Sequence, residues 1–364
     1  MKILHVINSF EGGGAEKLTL QLHEAYLNQG IDSHVVSIKK SSAGNLPNTD
    51  SLCLKSPYQI LALFKLYSFL SQPRWKDLDI IHVHLFPSQL YTPIIIKLLG
   101  FNSNLITTEH STYNWRRKFY FGKFIDRLTY SFYKKIICIS NGASTALKNW
   151  QPQISQKITV IYNGINIDDY SPFNKSTRKD NPNIIVSVGR LVKLKNYETA
   201  IRALSKLSDY SYEYWIIGSG DLEFQLKKLV NSLNLELKIK FLGFRKDVPQ
   251  LLNQADIFLQ TSLWEGFGLA VVEAMAAGLT VVVSDVPGLR EVVTEESKEA
   301  PNVGFLINPL SEDDIADKLS KLLNNPSLGL RMSQNARLRS SKFDINQTFY
   351  EYIDLCKKLV QLKD

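Results

Sequence analysis

Short β-branched runs alternate with longer amphipathic stretches twice along this chain, and that doubled rhythm leaves few folds open. In the first half the runs are residues 2–7, 34–38, 79–84, 104–108, 135–139 and 158–161. They are apolar on both faces, as the strands of a parallel sheet covered by helices on either side must be. The rhythm stops at Ser171-Pro172 and the polar stretch 174–183, which reads as a linker. It restarts with runs at 184–188, 213–217, 239–242, 257–260, 280–284 and 304–307. With 364 residues and roughly 150 residues per domain, two domains are expected. We therefore expect an α/β protein of two Rossmann-like, doubly wound parallel-sheet domains, residues 1–170 and 171–342. In the closing stretch, 343–364, Phe349, Ile353, Cys356 and Val360 recur at three- and four-residue intervals, the spacing of an amphipathic helix that packs against a domain.

Composition narrows the class. Hydrophobic residues at 44% and charged residues at 21% exclude a disordered chain and a coiled coil. No run of about 18 residues is free of charge, and residues 1–8 lack a secretory pattern, so a cytoplasmic protein is expected. Cys53, Cys138 and Cys356 are odd in number and widely spaced, which favours neither a disulfide framework nor a zinc site. Residues 1–170 hold 18 Lys and Arg against 11 Asp and Glu, nearly all of the net charge of +8. The first half therefore favours an anionic partner.

In open α/β sheets ligands bind beyond the carboxyl ends of the strands, and the chemistry-bearing motifs fall there. F-E-G-G-G-A-E-K at 10–17 follows the first run, so Gly12, Gly13 and Gly14 make a tight loop whose amides open a helix toward an anion. A plain glycine turn is the alternative. Dinucleotide binding is disfavoured, since G-x-G-x-x-G is missing and the second run ends in Lys39-Lys40 rather than an acid. W-E-G-F-G-L-A-V-V-E-A-M-A-A-G at 264–278 combines a loop carboxylate, Glu265, with open helix amides and a helix carboxylate, Glu273. That set suits the hydroxyls, diphosphate and ribose of a sugar nucleotide. The neighbours of Glu273 are apolar, so an unpartnered carboxylate there would be costly. In V-G-R-L-V-K-L-K-N, Arg190 and Lys195 leave the first run of the second domain as two cations fit for a diphosphate.

These residues resemble the retaining, metal-independent nucleotide-sugar glycosyltransferases of the GT-B fold, glycosyltransferase family 4. The resemblance spans nearly the whole chain: G-G-G-A-E-K, T-E-H at 108–110, Y-N-G-I-N at 162–166, G-R-L-x-x-x-K from Gly189, G-S-G-D at 218–221, and the pair Glu265 and Glu273. It implies that the second domain binds the donor and the first the acceptor, with the last helix returning to the first domain. It further implies that His110 lies against the donor sugar and that Glu265 orients the sugar hydroxyls. Arg190, Lys195, the amides of Phe267, Gly268 and Leu269, and Gly14 would neutralise the departing diphosphate. Gly218 belongs to a donor motif, Glu273 would hold the ribose, and Phe244 and Arg245 would line the base pocket. No metal and no cofactor is implied beyond the nucleotide sugar as co-substrate, a UDP-hexose with UDP-glucose first.

Asp77 and Asp79 form a D-L-D that reads as strand approach rather than metal site. His82 and His84 share a strand face but lack a third ligand at sensible spacing, and Asp168-Asp169 reads as a turn. Residues 113–135 carry seven basic residues and one acid among nine aromatics, a composition suited to an anionic membrane interface. Packing of those aromatics under the sheet is the plainer reading, and single-stranded nucleic acid is not expected as a partner. The expected activity is hexosyl transfer to a lipid-linked or oligosaccharide acceptor in surface-polysaccharide synthesis, by an enzyme peripheral on the inner face of the cytoplasmic membrane. A sugar-nucleotide epimerase and a non-catalytic polyanion-binding protein are the alternatives.

Overall fold

The computed structural model describes residues 1–11, 13–170, 183–294 and 302–362. Gly12 and the expected linker residues 171–182 lie outside the described residues.

The chain divides into two compact units, Met1–Asn163 with Gln347–Asp364, and Gly164–Asn346. The first contains a seven-stranded sheet in the order β3-β2-β1-β4-β5-β6-β7. Its strands are β1 (Lys2–Ile7), β2 (Asp32–Lys39), β3 (Thr49–Leu54), β4 (Ile80–His84), β5 (Asn104–Glu109), β6 (Lys135–Cys138) and β7 (Ile158–Val160). The second contains a six-stranded sheet in the order β10-β9-β8-β11-β12-β13, made of β8 (Asn183–Val188), β9 (Tyr212–Ile217), β10 (Ile239–Gly243), β11 (Ile257–Gln260), β12 (Thr280–Ser284) and β13 (Gly304–Ile307). Every strand pairing is parallel. Burial explains the strand sequences. In β1, Ile3, Leu4, Val6 and Ile7 are all fully buried, because helices cover both faces. Strand order reverses once in each sheet, between β1 and β4 and between β8 and β11, and that reversal opens a crevice at the carboxyl edge.

Three expectations need correction. The edge strand β3 lies outside the expected runs, since T-D-S-L-C-L has no β-branched core and buries only Leu52 and Leu54. The domain boundary falls after Asn163, not after residue 170. Ile165 is bracketed by Phe343 and Ile345, donating its N–H to the carbonyl of Phe343 at 2.9 Å and accepting from the N–H of Ile345 at 2.9 Å. Residues 164–170 therefore belong to the second unit, and Y-N-G-I-N is the crossing point. The closing helix runs Ile345–Gln361 rather than from 343. It covers the first sheet with Tyr352 and Cys356: the Tyr352 hydroxyl lies 3.2 Å from Thr108 Oγ1, and Cys356 Sγ lies 3.7 Å from the Tyr26 hydroxyl. Among the described residues no helix is long and apolar enough to cross a membrane.

Candidate active site

In the second unit the site gathers at the reversal between β8 and β11. The turn after β8 carries Gly189 and Arg190 and leads into a short 3-10 turn, Lys193–Lys195. The loop after β11 carries Glu265. Lys195 Nζ donates to Glu265 Oε1 at 2.6 Å, and the same oxygen accepts from Gln260 Nε2 at 2.8 Å and Ser262 Oγ at 2.8 Å. Both partners of this ion pair are largely buried. A cation expected to hold phosphate and a carboxylate expected to hold sugar are thus one unit before any ligand arrives. Gln260 and Ser262, invisible as site residues in the sequence, fix the carboxylate. Arg190 is exposed, and among the described residues its side chain has no ion pair, so its charge remains available to an anion.

Gly218 serves the same loop from below. Its φ is +136°, and a Cβ there would sit 2.0 Å from the carbonyl oxygen of Gly189, so only glycine lets the two turns touch. The contact continues as Leu191 N–H donates to Ser219 O at 2.9 Å.

The helix Leu269–Ala276 starts on Gly268, whose φ of +102° and 2.4 Å approach of its missing Cβ to Leu289 Cδ2 exclude a side chain. Phe267 just before it is 2% exposed and edge-on to Phe343 at 5.3 Å, which pins the amide turn of Phe267, Gly268 and Leu269. Glu273, one face further along this helix, accepts a hydrogen bond from the hydroxyl of Tyr170. That partner solves the cost of a carboxylate among apolar neighbours, and burial together with Glu273 pushes the Tyr170 phenol up. Tyr170 closes the short 3-10 turn Ile167–Tyr170, which also holds Asp168 and Asp169. The expected base-pocket residues are looser. Phe244 is 75% exposed, and Arg245 is exposed and paired with Asp247 at 2.7 and 2.5 Å, so its guanidinium is committed locally.

In the first unit the helix Gly14–Asn28 begins at the expected glycine turn. The reading of Gly13 as an open anion donor is corrected, because its N–H donates to Glu16 Oε2 at 2.8 Å. A carboxylate at N3 of the same helix already satisfies that amide. His110 follows β5, half-buried, with Nε2 3.4 Å from His84 Nδ1; burial pushes its pKa down to about 3, so it is neutral. The reading that His82 and His84 lack a third partner is also corrected. Strand β1 lies beside β4 and brings His5 in, so that ligand atoms of His5, His82 and His84 lie within 4.8 Å of one another. Asp79 is structural, accepting from the N–H of Lys2 at 2.7 Å. Glu109, the middle residue of T-E-H, is a buried carboxylate that accepts from Gln89 Nε2 at 2.7 Å and whose pKa is raised by burial.

The basic aromatic stretch divides in a way its composition hides. Arg116 is buried, its Nε donating to Asp126 Oδ1 at 2.6 Å and its guanidinium 4.1 Å from the Phe86 ring. Asp126 also accepts from Trp150 Nε1 at 2.9 Å. Arg116 is therefore a structural cation, not a surface one. The helix Gly122–Ser131 turns polar Asp126, Thr129 and Tyr130 inward and leaves Lys123, Phe124, Arg127 and Leu128 exposed. Lys118, Phe119, Tyr120 and Phe121 are exposed beside it.

Comparison with known proteins bears on the family and the fold. A family model described as Glycosyltransferase Family 4 matches residues 12–169, and one described as Glycosyl transferases group 1 matches residues 171–339. An uncharacterized glycosyltransferase of Haemophilus influenzae is 28% identical over 95% of this chain and 97% of its own length. The UDP-Gal:alpha-D-GlcNAc-diphosphoundecaprenol alpha-1,3-galactosyltransferase of Escherichia coli is 27% identical over 93% of this chain and 91% of its own. In fold, the chain is similar to the crystal structure of Anabaena HepE in complex with UDP, with a TM-score of 0.84 and 21% identity over 98% of this chain and 100% of that one. The two sheets are thus those of a GT-B α/β protein, and the chain belongs to the family 4 glycosyltransferases, enzymes that transfer a sugar from a nucleotide sugar.

Proposed function

We propose that the enzyme moves a hexose from a UDP-sugar, with UDP-glucose the first candidate, to a lipid-linked or oligosaccharide acceptor, with retention of anomeric configuration and without a metal ion. The observation that carries this reading is the pair Lys195 and Glu265 at the β8/β11 reversal, beside an uncommitted Arg190. Lys195 has three N–H donors, so it can keep Glu265 while meeting a phosphate oxygen. Arg190 supplies the second charge, and together they take the role a divalent cation fills elsewhere: stabilising negative charge that grows on the diphosphate. Glu265, oriented by Gln260 and Ser262, is placed to accept hydrogen bonds from sugar hydroxyls, and Glu273 from the ribose. His110 is the first unit's residue for a sugar hydroxyl.

In the reaction the bond from the anomeric carbon to the diphosphate oxygen breaks and the acceptor oxygen bonds that carbon on the same face. The acceptor's hydroxyl proton passes to the departing phosphate. This route needs no enzymatic nucleophile, and the only carboxylate assigned to the sugar, Glu265, is occupied by three donors on Oε1.

A lipid-linked acceptor and an anionic membrane surface are supported by the outward face of the helix Gly122–Ser131, where apolar and cationic side chains point away from the protein. The helix Leu61–Leu70 adds exposed Leu61, Phe64 and Tyr67 around Lys65. The name of the Escherichia coli relative gives a UDP-sugar and a diphosphoundecaprenol-linked sugar, which fits the same pairing of substrates. The test is incubation with UDP-glucose, UDP-galactose, UDP-N-acetylglucosamine and GDP-mannose in EDTA, with a polyprenyl-diphosphate-linked sugar as acceptor and the product anomer read by NMR. Transfer of an α-linked hexose from one UDP-sugar is expected. An inverted product, or turnover only with added Mg²⁺ or Mn²⁺, overturns the proposal.

A further inference from the structure

We propose that His5, His82 and His84 form a three-imidazole site for one d¹⁰ transition-metal ion, Zn²⁺ or Cu⁺, which clamps strand β1 to strand β4. The ion takes no part in sugar transfer, so the site stands apart from the donor and acceptor readings above.

Strand periodicity makes the cluster. Side chains alternate between the two faces of a strand, and Leu4, Val6, Ile81 and Val83 enter the apolar core on one face. His5, His82 and His84 therefore share the other, with His5 directly opposite His82 in the β1–β4 register. Each ring offers one nitrogen, and these three atoms lie within 4.8 Å of one another. Among the described residues it is the one group of three or more His, Cys, Asp or Glu side chains so placed. An ion about 2.0–2.1 Å from each nitrogen sets the nitrogens roughly 3.3–3.6 Å apart. His5 Nδ1 and His84 Nε2, at 3.3 Å, already have that spacing, and small ring rotations close the rest.

Burial sets what the site can hold. All three rings are fully buried, covered by the Tyr26 ring 5.6 Å from His5 and the Tyr352 ring 5.6 Å from His82. Burial also keeps them neutral, each with one lone pair to give. Two of the rings have their second nitrogen engaged: His82 Nε2 lies 2.8 Å from Thr108 Oγ1, and His84 Nδ1 lies 3.4 Å from His110 Nε2. That leaves His82 Nδ1 and His84 Nε2 to ligate, each ring backed by a further partner as metal-bound imidazoles are. His82 Nδ1 and His5 Nε2 have no hydrogen-bond partner among the described residues, and a buried polar atom without one costs free energy. An ion on His82 Nδ1 offsets part of that cost. Three nitrogens do not satisfy a six-coordinate ion, whereas a d¹⁰ ion has no geometric preference of its own and takes imidazole readily. Cu⁺ is complete with three ligands, and Zn²⁺ adds one small fourth ligand such as water. Because β1 and β4 meet where the strand order reverses, the ion would tie together segments far apart in sequence, and its binding energy becomes folding energy.

The test measures metal in the full-length protein by elemental analysis, as purified and again after unfolding with chelator and refolding with Zn²⁺ or, without oxygen, with Cu⁺. We expect one equivalent of one of the two ions per chain, retained through dialysis against EDTA because the site is enclosed. The urea midpoint should lie above that of the metal-free protein. X-ray absorption should show imidazole nitrogens at about 2.0 Å, and the two refolding arms tell Zn²⁺ from Cu⁺. His5→Phe, which keeps a ring in the interior, should lose the ion. Thr108→Val removes only the partner of His82 Nε2 and should weaken binding about 10–100-fold, an effect that ring packing alone does not produce. Refolded wild type that binds neither ion stoichiometrically overturns the proposal, as does an ion retained by a folded His5→Phe, a sulfur ligand in the absorption spectrum, or unchanged affinity in Thr108→Val. If His5→Phe does not fold, the wild-type stoichiometry and spectrum and the Thr108→Val affinity decide.

Discussion

Lys195 and Glu265, 70 positions apart in sequence, meet in a 2.6 Å ion pair that Gln260 and Ser262 complete. Each is therefore already a partner of the other when the enzyme is empty, and neither can be changed without exposing the other's charge. Lys195→Met should lower kcat by about 10²-fold through lost stabilisation of the diphosphate. It should also destabilise the fold by about 1–3 kcal/mol, less than a bare buried ion would cost because Gln260 and Ser262 still donate to the carboxylate. Urea denaturation beside steady-state kinetics separates the two; full activity with lowered stability would make the pair purely structural.

Arg190 differs, since it is exposed and unpaired among the described residues. Arg190→Ala should leave the urea midpoint within about 0.5 kcal/mol of wild type, while kcat falls roughly 10²-fold or more. Saturating EDTA should change neither enzyme. A chelator-sensitive wild type would show that a metal ion, not Arg190, carries the leaving-group charge.

The Tyr170 hydroxyl on Glu273 leads to a separate expectation. Glu273→Gln should weaken UDP and intact donor alike by calorimetry, because the ribose is common to both, whereas Glu265→Gln should chiefly impair the intact donor. Tyr170→Phe removes one hydrogen bond to a carboxylate, worth about 1.5–3 kcal/mol, and should shift UDP affinity in the same direction as Glu273→Gln. Equal losses of UDP affinity in Glu273→Gln and Glu265→Gln would undo the division of roles.

Burial separates the cations of residues 113–135 into two kinds. Arg116→Ala leaves Asp126 in the interior without its cation, with Trp150 Nε1 still donating to it, and should cost about 3 kcal/mol. Exchanging Lys118, Lys123 and Arg127 together for Gln should spare stability. At about 1 kcal/mol per charge near an anionic surface, it should cut vesicle binding by roughly 10²-fold at low salt, with salt shrinking the difference. Co-sedimentation with anionic and neutral vesicles measures this, and unchanged binding of the triple variant would remove the membrane from the proposal.

Acid should unfold the enzyme early. The buried His5, His82 and His84 and the half-buried His110 have native pKa values below their ordinary 6.5, burial being the main cause. Under pH 6.5 the unfolded chain takes up protons that the native state refuses, so their contribution is complete above 6.5 and is lost as pH falls toward 3. Glu109 opposes this over part of the range, since its raised pKa favours the native state on acidification, but it is one group against four. A loss of at least about 1.4 kcal/mol per pH unit below 6 is expected from urea midpoints, and a flat profile between pH 7 and 5 would contradict the neutral cluster.

The sequence by itself determined the two α/β sheets, because strands buried on both faces must be written almost entirely in apolar residues. β1, β11, β12 and β13 lie where their runs are. It also marked Arg190, Lys195, Glu265 and Glu273, since turns at strand ends need glycine and a carboxylate in an apolar helix stands out. Only the tertiary structure decided what these residues touch. Gln260, Ser262 and Tyr170 are ordinary polar residues until the β8/β11 reversal and the turn before 171 bring them to the two glutamates. Arg116 looks like its basic neighbours until a helical turn puts Asp126 against it. His5 is 77 positions from His82, and pairing of β1 with β4 alone makes them neighbours. Local patterns are set by the period of strand and helix, whereas partnership between distant side chains is set by strand order, which no single stretch of sequence contains.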